Sequence, residues 1–202
     1  MSGPDRPLVD RPMSVLGLHE YADTATGLMA IDAATKAAPV EVVTIRVINP
    51  GKLVAVVTGD EAAVELSLAA SRKSAGSSLV DELFLTAVHP GVISALTHAA
   101  WETWDALCIV ETATIATGIA AADLAAKTAA VTVAEIRIDD SMGGRASIRL
   151  VGPIGEIDVA SSAATEYAAG RDALIRAVTI ANPHEDLRPH LIGGGAGSHG
   201  DR

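Results

Sequence analysis

The side chains able to do chemistry in this sequence come in matched sets. Glu20, Gly27, Asp32 and Lys36 are followed 91 positions later by Glu111, Gly118, Asp123 and Lys127. A fixed offset of residue type means that one packing solution is used twice. The remaining candidates do not converge. His89, His184 and His190 each stand beside a proline near a strand end. Asp139-Asp140 suggests a hard cation, but adjacent strand residues point to opposite faces and do not ligate together, so both read as solvated loop acids. Cys108, between Leu107 and Ile109, reads as a small buried hydrophobe. No nucleophile elbow, phosphate loop or paired metal spacing occurs, and Gly152-Pro153-Ile154-Gly155 is too short and proline-interrupted for a dinucleotide turn. The expectation is therefore a protein without a catalytic set, a metal or a cofactor.

Composition narrows the classes further. In 202 residues, 49% hydrophobic content supports a packed core, while 2% aromatics force that core to be built from small aliphatic side chains. A formal charge of -10 opposes the basic field that nucleic acid or an anionic membrane requires, so neither is expected as a partner. One cysteine forms no internal disulfide, and no apolar run reaches membrane-spanning length. A soluble cytoplasmic protein is expected.

The elements that position these residues follow from periodicity. Residues 1–12, with three prolines and no apolar repeat, read as a flexible arm. Val15 to Leu18 reads as a strand, followed by a helix capped at Asp23 or Thr24 with apolar positions at Leu28, Ile31, Thr35 and Ala38. Pro39 stops that helix. Glu41 to Val47 alternates, with Val43, Ile45 and Val47 on one face, and Asn49-Pro50-Gly51 turns it into a strand at Leu53 to Val57. A second helix opens at Gly59-Asp60, with Ala62, Leu66 and Ala69 on one face as far as Ser71, and Leu83 to Val88 closes the unit as a strand. The order β-α-β-β-α-β is ferredoxin-like. The second copy repeats it, with Ile119, Ala122, Ala126 and Ala129 along its first helix and Ala134, Ile136 and Ile138 on one strand face. Past the hairpin the offset grows to 93, since Gly59 matches Gly152, which places two extra residues beside Asp139 to Arg145. The expected division is an α+β chain with units at 13–96 and 105–192, a linker at 97–104 holding Trp101 and Trp104, and a flexible Gly-rich tail at 193–202. The tryptophans suit either a unit–unit or subunit contact or the capping of the first unit's edge.

These motifs resemble the bacterial microcompartment shell domain family. The resemblance rests on Leu16-Gly17-Leu18-His19-Glu20, Asp32-Ala33-Ala34-Thr35-Lys36-Ala37-Ala38, Asn49-Pro50-Gly51-Lys52 and Gly59-Asp60, and on Glu111-Thr112, Asp123 to Lys127, Met142-Gly143-Gly144-Arg145 and Gly152-Pro153 in the second copy. It implies two tandem shell domains in non-permuted order. Three chains would then form a pseudohexameric homotrimer that tiles with hexameric and pentameric shell proteins and meets encapsulated enzymes. The resemblance further implies a central pore for small metabolites, lined by Asn49, Pro50, Gly51, Met142, Gly143 and Gly144 and flanked by Lys52, Asp140, Ser141 and Arg145. Glycine near an axis keeps the opening wide and leaves backbone N–H groups to meet polar solutes. Lys36 and Lys127 are placed at the edge between neighbouring discs, although the helix dipole alone also favours a terminal lysine. Some tandem shell proteins hold an iron–sulfur cluster on a pore-loop cysteine; neither loop here has one, so no cluster is expected. The alternative is a ferredoxin-like trimer that binds a small molecule or regulates.

Overall fold

The computed structural model describes residues 13–96, 105–138, 142–187 and 190. The first unit runs β1 (Val15–Tyr21), α1 (Thr24–Ala37), β2 (Glu41–Ile48), β3 (Lys52–Thr58), α2 (Glu61–Ala75) and β4 (Leu79–Thr86). A short helix α3 (Pro90–Ala95) follows it. The second unit repeats the order with β5 (Ala106–Thr112), α4 (Ile115–Thr128), β6 (Thr132–Arg137), β7 (Ala146–Gly152), α5 (Ile154–Gly170) and β8 (Leu174–Ala181). Each unit is an antiparallel four-stranded sheet, ordered β2-β3-β1-β4 and β6-β7-β5-β8. This is the ferredoxin-like α+β arrangement expected from the sequence.

Local chemistry explains the boundaries. Asp23 caps α1 by accepting the Thr26 amide at 2.8 Å, and Ala38, forced out of helical backbone by Pro39, ends it. Thr114 does the same for α4 through the Thr117 amide. α3 is an addition to the expected order. His89-Pro90-Gly91, read as the close of a strand, is instead a helix start, with Pro90 in the first turn and His89 Nδ1 accepting the Gly91 amide at 3.1 Å.

Several faces differ from the periodic reading. On α1 the buried positions are Gly27, Ala30, Ile31 and Ala34, while Leu28 and Met29 are 50% and 54% exposed. The sheet takes the small residues because the helix approaches closely; a β-carbon on Gly27 would lie 2.9 Å from Leu53. α2 turns Ala63, Val64, Ser67, Leu68, Ser71 and Ala75 inward, with the Ser71 hydroxyl meeting the buried His19, and leaves Leu66 exposed. β2 and β6 each carry an irregularity at equivalent places, between Val42 and Thr44 and between Val133 and Glu135. One extra residue there breaks the alternation. Ala134 consequently packs with Leu107 and Val151, whereas Ile136 joins the main core, and Ile45 and Val47 face outward. A further two-residue slip appears at α5, which is 17 residues long against 15 for α2.

The core is shared by the two units. α4 is buried from Ile115 to Ala126 except at Leu124, because one side faces its own sheet and the other lies on the outer face of the first sheet. Ile115 and Ile119 meet the layer of Leu16, Leu18, Val54 and Val56 there. Each such isoleucine contributes about 1.5–3 kcal/mol by leaving water. The pocket that these side chains line between the units holds about 20 Å³, room for a water rather than a metabolite. The tryptophans at 101 and 104, the arm and the tail lie outside the described residues.

Candidate functional site

Two hairpin loops carry the residues expected at a pore. Asn49 to Gly51 join β2 to β3 through a cis Asn49–Pro50 bond, and Gly51, at φ +127°, donates its amide to the Ile48 carbonyl at 2.8 Å. That backbone conformation disfavours any side chain, which accounts for the glycine. In the longer β6–β7 loop, Met142 to Arg145 close a turn through the Arg145 amide and Met142 carbonyl at 3.2 Å, with Gly143 and Gly144 at φ +63° and +83°. The loops are neighbours. A β-carbon on Gly143 would lie 3.8 Å from the Asn49 carbonyl oxygen, and one on Gly144 would lie 3.0 Å from Lys52 Nζ. Asn49, Lys52, Gly143 and Gly144 are thus together, with Pro50, Met142 and Arg145 on the same two loops; Met142 is half-buried and Arg145 exposed. Asp140 and Ser141 lie outside the described residues.

Behind these loops is a polar joint between the units that periodicity did not reveal. Glu20, at the end of β1 and fully buried, directs Oε1 to the Ala116 amide at the start of α4, 2.7 Å away. A carboxylate at a helix N-terminus satisfies an amide that has no partner within the helix. Burial nevertheless pushes its pKa up to about 7, helped by nearby Asp81 and opposed by the Ala116 amide and Lys52. Asp81 on β4 accepts from Thr114 Oγ1 at 2.5 Å, Thr117 Oγ1 at 2.8 Å and Arg171 Nη2 at 2.5 Å. Burial pushes the Asp81 carboxyl up, but those two hydroxyls and the guanidinium outweigh it and hold it below the ordinary range. Asp123 accepts the His89 amide at 2.8 Å and pairs with Lys127 at 2.5 Å. The recurrence of Glu, Gly and Asp is the available signal. Its cause is packing between sheet and helix, since a β-carbon on Gly118 would lie 2.5 Å from Ala146.

The first unit also contains a closed polar network. His19 is buried between Ser71 Oγ, 2.8 Å from Nδ1, and Glu82 Oε2, 3.2 Å from Nε2. Tyr21 donates to Ser71 Oγ at 2.6 Å. Burial lowers the His19 pKa to about 4 against the pull of Glu82, so the ring is neutral near pH 7, donates from Nε2 and accepts at Nδ1. Cys108 occupies the place that Gly17 holds in the first sheet, buried and facing α5, with its thiol pushed up by burial.

A family model described as the BMC domain matches this chain twice, over residues 15–88 and 106–183. The chain belongs to the BMC domain family. A bacterial microcompartment shell protein, PduT, from Citrobacter freundii is 31% identical over 180 residues, covering 89% of this chain and 98% of that protein. The crystal structure of a microcompartment protein from Desulfitobacterium hafniense DCB is 36% identical with a TM-score of 0.75, covering 88% of this chain and 99% of that one. A fused permuted hexameric shell protein of the RMM microcompartment, at 20% identity and a TM-score of 0.61 over 78% of this chain and 85% of its own, shares the fold. This BMC-domain chain is a structural component of a bacterial microcompartment shell that assembles with other shell proteins. Among the described residues no helix is long and apolar enough to cross a membrane. The two lysines of the repeat differ in setting. Lys36 pairs with Asp32 on the open surface of α1, while Lys127 is 39% exposed beside the buried Asp123.

Proposed function

We propose that three copies of this chain close a ring of six BMC units and tile into the shell facet, with a central opening through which small polar metabolites pass. The units would be 13–96 and 105–192. The observation that carries this reading is the adjacency of the two hairpin loops beside the joint between units. Repeating that joint around an axis would bring Asn49–Gly51 and Met142–Gly144 to it in alternation, with Lys52, Asp140, Ser141 and Arg145 behind them. Glycine-rich turns present backbone groups rather than bulk, which suits a passage for hydrogen-bonding solutes. Met142 is the one long apolar side chain in the set and acts as the constriction. The role is structural and conductive rather than catalytic, and it requires no cofactor. Lys36 and Lys127 serve at the edge where neighbouring discs meet.

The ring is tested by native mass spectrometry of the purified chain, where assemblies of three 20.6 kDa protomers are expected and monomers alone refute it. The pore is tested on assembled sheets. Met142→Gly should raise the flux of a small polar tracer above wild type, and equal flux would exclude a constriction at this residue.

A further inference from the structure

The joint inside the chain has an unfilled counterpart on its outer surfaces, and the charges on the two joints differ. Within the chain, β1 and β4 pair with Glu20 opposite Asp81; in the second unit β5 and β8 pair with Glu111 opposite Arg176. Arg176 therefore holds the position of Asp81. On the helix side, the cap and third residue of α4, Thr114 and Thr117, correspond to Asp23 and Thr26 of α1; both caps accept an amide three residues on. Where Arg171 follows α5, the first unit has the uncharged Gly76–Ser78 turn after α2.

Burial marks which positions lack their partner. Ile119 and Ala120 on α4 are 1% and 5% exposed, whereas Leu28 and Met29, 91 positions earlier, are 50% and 54% exposed. Leu83 on β4 is 4% exposed and its equivalent on β8, Val178, is 46% exposed. Exposed apolar positions whose repeats are buried against a neighbouring unit mark a contact surface. The same chain supplies both halves: α1 offers the helix side, and β5 with β8 offers the sheet side.

Resting on the ring proposed above, we propose that Arg176 of one chain pairs with Asp23 of the next, over a contact between Val178 and Leu28, so that the joint between chains is held by a charge pair of opposite sense to the one inside the chain. At the inner joint an acid on the sheet, Asp81, meets two hydroxyls and Arg171 on the helix side. At the outer joint a base on the sheet, Arg176, meets an acid on the helix side, Asp23. Asp81 and Arg171 already meet inside each chain, which leaves α1 and the sheet of β5 and β8 as the faces for the next copy. Opposite charges facing each other across that joint fix its register. Glu111 would then meet the Ala25 amide of the next chain as Glu20 meets Ala116, and the closed ring holds an even alternation with no free joint.

The test uses the full chain in three forms: wild type, Arg176→Asp, and Arg176→Asp with Asp23→Lys. Native mass spectrometry on dilution should show the single variant dissociating at a protein concentration roughly tenfold or more above wild type, with the double variant returning toward wild type. Thermal melts check that each variant is folded. An independent arm places cysteines at both sites (Asp23→Cys, Arg176→Cys) and applies a short bismaleimide, Cys108 being buried. Covalent dimers and trimers support the pairing; monomers alone overturn it. A trimeric wild type whose Arg176→Asp variant dissociates no more readily refutes the charge pair while leaving the ring intact, whereas a monomeric wild type refutes the ring itself.

Discussion

Replacing Glu20 by Gln removes a buried charge from the joint while keeping its hydrogen bond. Glu20 is fully buried; Oε1 accepts the Ala116 amide at 2.7 Å, and Oε2 has no hydrogen-bond partner among the described residues. Its carboxyl is pushed from an ordinary 4.5 up to about 7. At 1.36 kcal/mol per pKa unit, ionisation at this place costs the folded state about 3 kcal/mol. Below pH 4.5 the folded and unfolded chains are both protonated here and the site costs nothing. Between 4.5 and 7 the unfolded chain loses the proton while the folded chain holds it, so stability falls as pH rises. Above 7 the cost is complete and constant. Gln has no such term. The stability of Glu20→Gln relative to wild type should therefore climb by roughly 2–3 kcal/mol between pH 5 and pH 8. Urea unfolding of both proteins at matched concentration across that range measures it, matched because assembly itself adds stability. A difference that does not change with pH would show that Glu20 is ionised throughout, with the α4 N-terminus and Lys52 outweighing burial, and the reasoning would fail.

Three further outcomes follow from the same geometry. His19, lowered from 6.5 to about 4, stays neutral in the fold while the unfolded chain takes up a proton, so its own contribution to stability falls as pH drops from 6.5 to 4, opposite in sign to that of Glu20. In urea titrations the stability of His19→Gln relative to wild type should rise as pH drops from 6.5 to 4, and a difference that does not change with pH would assign the protonation elsewhere. Gly118→Ala forces a methyl to within 2.5 Å of the Ala146 β-carbon and 2.8 Å of Thr112 Oγ1, and should cost about 1–3 kcal/mol in thermal or urea unfolding; a neutral result would mean the helix shifts freely on its sheet. Replacing Lys36 and Lys127 together by Asp should abolish sheets in negative-stain micrographs while leaving trimers in native mass spectra. Intact sheets would remove both lysines from the disc edge.

Much of the architecture was legible because the repeat gave two independent readings of one pattern. Asp23, Pro39, Gly51 and Gly76 act within a few residues of where they stand, so the element order could be read locally. Faces were less legible. Leu28 and Leu66 looked like core residues at helical spacing, yet a helix lying close on a sheet buries Gly27, Ala30 and Ala34 and turns the larger side chains away. The bulge at Val133 to Glu135 defeated strict alternation, since an extra backbone residue has no signature in hydropathy. In the candidate site, the loop glycines declared themselves through their types, whereas Asp81, Thr114 and Arg171 did not. They lie on three elements far apart in the chain and acquire a common meaning only when β4 meets α4 and the end of α5.

The sequence alone determined the two α+β units, the places where they turn and the one hairpin loop where their lengths differ, because caps, prolines and positive-φ glycines are short-range constraints. Only the tertiary structure decided what the repeated residues do. Glu20, Gly118 and Asp123 recur because sheet and helix must meet closely, which is a property of contacts rather than of periods. It also decided that equal positions are unequal in exposure. Ile119 is buried and Leu28 is not, since one chain supplies a covering sheet for α4 but none for α1.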